Sequence, residues 1–177
     1  MDVSKLVPGG GNMMMEYKEI GNIQSSAGTI TLPPVPAHIG VVVKDVDKAI
    51  QFFRSTYDTG RVLVVGEYSA HKEDLIVGDP FKLKIALIEL GTMIFEFLQP
   101  VGEQISIWSQ FLETNGDGLH HIAYRVSNVD EIVSKFKKLG IGAVIRGYLK
   151  GSGNWVYMNT GTNPSGIIIE LLDFSMW

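Results

Sequence analysis

The chain has 177 residues, 45% hydrophobic and 19% charged, with a formal net charge of −4. Such a composition suits one well-buried globular domain, or two small modules sharing a core, and excludes a disordered chain. Mild acidity without a cluster of Lys and Arg argues against a nucleic-acid partner, which requires a basic face. With no cysteine, neither a disulfide framework nor a thiolate metal site is open to it, and a cytoplasmic location is compatible. No apolar run reaches the ~18 residues needed to span a bilayer, so no membrane partner is expected. The N-terminal "MDVSKLVPGGGNMMMEYKE" lacks the apolar stretch of a signal peptide.

Residues 1–36 read as an N-terminal arm, partly flexible, with "PGGGN" and "LPPVP" as breakers and a short strand near "GTITL". Ordered alternation begins at Ala37, and with it an internal repeat. "HIGVVVKDVDKAIQFF" starts at His38 and "HIAYRVSNVDEIVSKF" at His121, 83 residues on, with no gap over sixteen residues. Each copy reads as a strand followed by a helix. Asp45 and Asn128 are N-caps, Asn128 and Glu131 have capping-box spacing, and apolar residues then recur at helical intervals (Val46, Ala49, Ile50, Phe53; Val129, Ile132, Val133, Phe136). The glycines of "LGIGAV" stop the second helix.

A second matched pair closes each copy: "MIFEFLQP" around Glu96 and "IIIELLDF" around Glu170. Between helix and closing strand lie "RVLVVGEY" and "KLKIALIEL" in the first copy, "AVIRGYL" and "NWVYMNT" in the second. The unit is β-α-β-β-β, present twice. It divides residues 37–174 into a module over 37–100, a linker over 101–118 that reads as a short helix ended by Asn-Gly and Asp-Gly turns, and a module over 119–174. The fold class is therefore α+β.

The repeat duplicates four polar residues inside apolar strands: His38 and His121 at the strand starts, Glu96 and Glu170 in the closing strands. A buried carboxylate is costly unless paired, and an approximate two-fold would bring the four into one cup. Two imidazoles and two carboxylates make an all-N/O donor set for one divalent metal ion: Zn, Ni, Co, Mn or Fe. Alternation puts Arg125 on the His121 face, where it could hold an anionic group of a substrate. Trp155 and Tyr157 share a face that lines either core or pocket, and His71 falls in an exposed charged loop.

On these motifs, with "FLETNGDGLHHIAYRVSNVDEI", "FEFLQP" and "GIIIELLD", the chain resembles the vicinal oxygen chelate superfamily (glyoxalase/bleomycin-resistance/extradiol-dioxygenase). The resemblance covers Ala37 to Phe174, and within it these three stretches are most similar to the methylmalonyl-CoA epimerase branch. The resemblance implies tandem βαβββ modules forming an open, cup-shaped mixed sheet around one divalent metal held by His38, Glu96, His121 and Glu170. His121 is taken as the ligand of the "HH" pair because it aligns with His38, and His120 is then expected on the other face. The resemblance further implies isomerisation of a small-molecule carbonyl or acyl-CoA substrate through a metal-stabilised enolate. Glu170 would be ligand and base, and Asp79, in "GDP", would stand nearest the family's second acid/base. Alternatives are a glyoxalase I-type lactoylglutathione lyase and a non-catalytic small-molecule binding or resistance protein. Open sheet edges suggest a homodimer.

Overall fold

The structure is a computed structural model that describes residues 28–161 and 165–175. Each half of the chain starts with a strand and a capped helix. In the first half these are β1 (His38–Val42) and α1 (Val46–Thr56); in the second they are β6 (Gly118–Arg125) and α3 (Val129–Lys138). Both caps form. Asp45 accepts from the Lys48 amide and Asn128 from the Glu131 amide, each at 3.0 Å. The Glu131 carboxylate is held by Lys135 Nζ at 2.7 Å rather than returning to the cap. Gly140, at φ 78°, supplies the left-handed residue after α3.

The remaining strands are β2 (Val62–Ala70), β3 (Leu75–Val77), β4 (Phe81–Leu90) and β5 (Met93–Pro100) in the first half, and β7 (Ala143–Leu149), β8 (Gly153–Met158) and β9 (Ile168–Leu172) in the second. Among the described residues they form one nine-stranded sheet in the order β2-β4-β5-β1-β6-β9-β8-β7-β3. The three-residue β3 is absent from the repeat pattern. It leaves the first half to pair with β7 of the second. β2 and β3 are the opposite edges of this sheet, yet residues 71–74 alone connect them. Four residues span at most ~14 Å, so the sheet curls until its edges nearly meet. The result is an α+β half-barrel.

The helices sit outside the curl. Val46, Ile50, Ala86, Ile88 and Phe97 bury one outer face under α1; Val133, Phe136, Val156, Met158 and Leu171 bury the other under α3. The inner face carries the alternate residues, including Leu83, Leu87, Leu98, Trp155 and Leu172. Strands covered on both faces read as unbroken apolar runs, which is why Glu96 and Glu170 each stand between apolar neighbours in the closing strands. The linker folds into α2 (Ile107–Asn115), capped by Ser106 and ended at Gly116 with φ 74°; its Trp108 is buried inside the curl. The expected strand near "GTITL" does not form. The described residues 28–33 are in no strand, and Ile30 and Leu32 instead pack against the α3 cluster. The arm over 1–27 lies outside the described residues. Among the described residues no helix is long and apolar enough to cross a membrane.

The repeat has a geometric consequence at the centre of the sheet. β1 and β6 are antiparallel, with His38 opposite Ala123, Ile39 opposite Ile122 and Gly40 opposite His121. Residues 83 apart in sequence thus exchange places, and the pseudo-two-fold passes between Ile39 and Ile122. Flanking strands extend this into two rows across the sheet: Leu87–Glu96–Gly40–His121, and His38–Ala123–Glu170–Tyr157. In each row one small residue separates a histidine from a glutamate. Two strand spacings, ~9.6 Å, are then bridged by side chains leaning over a gap. Gly40 leaves that gap entirely: a Cβ there would stand 1.8 Å from His121 Cε1. Gly40→Ala is expected to cost about 1–3 kcal/mol through overpacking, several degrees in Tm for a chain of this size. Thermal denaturation should show a larger loss than for Ala123→Gly, which is expected to cost about 1 kcal/mol.

Candidate metal centre and its cavity

The two rows deliver four donors to one point. His38 Nε2 lies 3.3 Å from Glu96 Oε2, 3.0 Å from Glu170 Oε2 and 3.3 Å from His121 Nε2. His121 Nε2 lies 3.4 Å from Glu96 Oε2 and 3.3 Å from Glu170 Oε2. All four donors come from one chain, and none of the four residues is more than 5% exposed. Neither Oε2 is hydrogen-bonded. The carboxylates approach the imidazoles without an N–H directed at them, so their lone pairs, like those of the ring nitrogens, converge on shared space. Separations of 3.0–3.4 Å are those between ligands of an ion with bonds of about 2.0–2.2 Å. The donor set fits a divalent cation.

Electrostatics point the same way. Burial alone would push the His38 imidazole down, but the carboxylates of Glu96 and Glu170 outweigh it and raise the pKa to about 10. His121 is also raised: burial opposes, and Glu170 and Glu96 prevail. Burial would raise both glutamates, yet the two imidazoles hold Glu96 and Glu170 below the ordinary carboxylate range. The metal-free cluster therefore traps positive charge as a proton.

His120 is not on the opposite face. Val41 pairs with Leu119 and Gly40 with His121, which leaves His120 as the extra residue of a β-bulge. Both histidines consequently turn inward, with His120 Nδ1 3.1 Å from His121 Nδ1. A His121 that ligates through Nε2 must carry its proton on Nδ1, and His120 Nδ1 is the acceptor that fixes this tautomer. Burial, reinforced by the neighbouring His121, pushes the His120 pKa down to about 3, so it stays neutral. Trp108, Phe111 and Tyr157 enclose its ring, with Phe111 edge-on at 5.1 Å. Strict alternation hid this residue; the only trace in the sequence is the doubled histidine.

The two glutamates differ in their neighbours. Leu87 stands beside Glu96, Tyr157 beside Glu170. Burial and the carboxylates of Glu170 and Glu96 raise the Tyr157 phenol well above its usual value, so it remains a neutral donor facing Glu170. Above the cluster opens a cavity of about 290 Å³, whose lining includes Glu96, Glu170, Trp108, Trp155 and Tyr157. The expected pocket role of Trp155 and Tyr157 is thus joined to a core role, since both also pack in the inner cluster. Arg125 is exposed and lines a separate cavity that ends on His38, between residues 33–37 and Phe174. Asp79 lies exposed between β3 and β4, away from the cavity lining. His71 is exposed as well and precedes a single 3₁₀ turn.

Residues 37–158 match the Glyoxalase/Bleomycin resistance protein/Dioxygenase superfamily. The chain belongs to that superfamily. Among curated proteins, the uncharacterised YqjC of Bacillus subtilis (strain 168) is 23% identical over 137 residues, 77% of this chain and 89% of that protein. Among solved structures, the methylmalonyl-CoA epimerase of Mycobacterium tuberculosis superposes with a TM-score of 0.60 at 20% identity, covering 82% of this chain and 89% of that one. A methylmalonyl-CoA epimerase in complex with methylmalonyl-CoA and NH4+ gives 0.55 at 21% identity, over 84% and 97%. The hypothetical protein BH1468 of Bacillus halodurans C-125 gives 0.61 at 20% identity, over 81% and 96%. Within the superfamily the fold is therefore of the kind seen in the methylmalonyl-CoA epimerases.

Two outcomes are expected of this centre. In the metal-free protein the raised His38 stabilises the fold fully below its unfolded value near 6.5, and that contribution is lost as pH rises through about 10. A cation replaces this proton, so metal affinity should climb about tenfold per pH unit between pH 6.5 and 8.5 in chelator competition. A pH-independent affinity would mean that the cation does not displace a proton from the cluster. Removing the tautomer lock with His120→Phe should weaken metal binding about 10–100-fold, while His120→Gln, which keeps an acceptor, should recover part of the loss.

Proposed function

We propose that the protein is a divalent-metal-dependent isomerase, most like methylmalonyl-CoA epimerase, which moves the proton on a carbon α to a carbonyl or thioester. The observation that carries this reading is the buried His38–Glu96–His121–Glu170 cluster, with two orphaned carboxylate oxygens beneath an open cavity. A divalent ion held there would act as a Lewis acid on the substrate's carbonyl oxygen and lower the cost of removing the α-proton.

Everything else falls to the chain's own residues. Glu170 is the proton carrier. It faces the cavity, and Tyr157 beside it supplies a neutral donor that steadies the carboxylate after the proton leaves. Glu96, flanked by Leu87, has no such partner and serves as a ligand.

A second reading is a glyoxalase I-type lyase. Among the described residues Glu96 and Glu170 are the only carboxylates lining the cavity. Inversion of a stereocentre needs an acid and a base on opposite faces, whereas shifting a proton between neighbouring carbons needs one carrier. The two readings separate by NMR in heavy water, with methylmalonyl-CoA in one sample and the methylglyoxal–glutathione adduct in the other. Exchange at the α-carbon with retained connectivity marks an epimerase, and formation of a hydroxyacyl thioester marks a lyase. Glu170→Gln should reduce either activity at least about 10²-fold. An unchanged rate would remove Glu170 from the chemistry. Absence of both activities in metal-loaded protein would favour the non-catalytic binding protein.

A further inference from the structure

The cluster stands between two cavities. The one above it, about 290 Å³, reaches Glu96 and Glu170; the second, about 350 Å³, ends on His38. Phe174 and Ser175 border both. The chain is pinned just before this shared wall. Asp173 accepts from the Asn154 backbone N–H at 2.7 Å and from Asn154 Nδ2 at 2.8 Å, which ties the end of β9 to the start of β8. Gly153 makes that approach possible, since a Cβ there would stand 2.2 Å from Asp173 Oδ1 and 3.2 Å from Phe174 Cδ1. A ligand that leaves the first cavity over residues 174–175 has the second before it.

The two cavities differ in charge. Among the described residues no Lys, Arg or His lines the first, and its charged groups are the two glutamates of the cluster. The second is apolar except for His38, Ser175 and Arg125. Arg125 stands on the inner face of β6, two residues beyond Ala123 and in register with Leu172 of β9. Ala123 lies opposite His38. Arg125 is therefore the diagonal neighbour of His38 across the β1–β6 pair, ~7–8 Å away and within reach for a long side chain.

Arg125 is also uncommitted. Glu89 holds Arg61 and Asp130 holds Arg146, each at 2.7 Å, but among the described residues the Arg125 guanidinium has no ion pair or hydrogen bond. Its side chain is exposed on the wall of an otherwise apolar cavity, beside a residue of the cluster. There it presents a fork of donors that matches a carboxylate or phosphate. With a net charge of −4, the chain as a whole does not attract anions, so an anionic ligand depends on a local cation.

We propose that Arg125 binds the anionic end of the substrate, a carboxylate or phosphate remote from the reacting carbon. This rests on the cluster's proposed role in holding the substrate's carbonyl oxygen. Both candidate substrate classes carry such a group: a CoA thioester has phosphates, and a glutathione adduct has carboxylates. Neither anion meets a cationic side chain in the first cavity.

The test is calorimetric titration of the metal-loaded full chain with two ligand pairs at physiological ionic strength. S-acetylphosphopantetheine is compared with S-acetylpantetheine, and S-acetylglutathione with its diethyl ester. In one pair or the other, the anionic member should bind wild type at least about tenfold more tightly. A phosphate preference identifies a CoA-type thioester, and a carboxylate preference a glutathione adduct. Arg125→Leu should abolish the preference while leaving the affinity of the neutral member and the metal content unchanged. Arg125→Lys should keep part of it, and Arg125→Glu should reverse it. No preference in wild type, or one that survives Arg125→Leu, would overturn the inference and leave the isomerase and lyase readings standing. A preference that depends on Arg125, in a protein that turns over neither substrate, would support the inference and overturn those readings.

Discussion

Two carboxylates buried within one apolar curl need positive charge between them. Glu96 and Glu170 sit 4% and 5% exposed, where each ionised group would cost several kcal/mol alone. The two histidines bring that cost down, and the approach of both imidazole nitrogens to each carboxylate within 3.0–3.4 Å suits donors set around a cation. With a proton as that cation, His38 carries it. With a divalent ion, the same donors lose the proton and become ligands. The fold serves this constraint directly: the repeat sets two matched donors on each half, and the antiparallel β1–β6 pairing turns one half against the other so that the four meet.

Departures from the pseudo-two-fold set apart the roles of the matched residues. Gly40 and Ala123 occupy matching places, yet only the glycine makes room for an imidazole against its own backbone. Leu87 and Tyr157 hold matching register positions beside Glu96 and Glu170, which gives one carboxylate an apolar neighbour and the other a phenol. The bulge at His120 occurs in β6, where it recruits a second imidazole behind His121. The matched residues of the site thereby have unlike surroundings, beneath a cavity whose aromatic wall draws on both halves of the chain.

Much of this was legible in the sequence because repetition and periodicity are local signals. The 83-residue offset identified the paired modules, both helix caps followed from residue type, and the polar positions in apolar strands named all four donors. What escaped was set by non-local pairing. The short β3 has too few residues for alternation to mark it and exists because the curl brings β7 within reach. "GTITL" has strand composition, but among the described residues it pairs with no strand, and its Ile30 and Leu32 pack on the α3 cluster instead. Alternation assumes an unbroken ladder and therefore puts His120 on the wrong face. Asp79 stands nearest in sequence to the expected second acid/base, and the structure places it exposed between β3 and β4.

By itself the sequence determined the α+β class, the tandem βαβββ units and the identity of His38, Glu96, His121 and Glu170 as a buried set, since burial cost and period can be read one strand at a time. Only the tertiary structure decided that the four converge within a single chain, that His120 backs His121, and that the cavity over them is aromatic and free of cationic side chains among the described residues. The reason is physical. Which side chains share a wall depends on sheet curl, strand order and register, and these are settled by contacts between residues far apart in the chain.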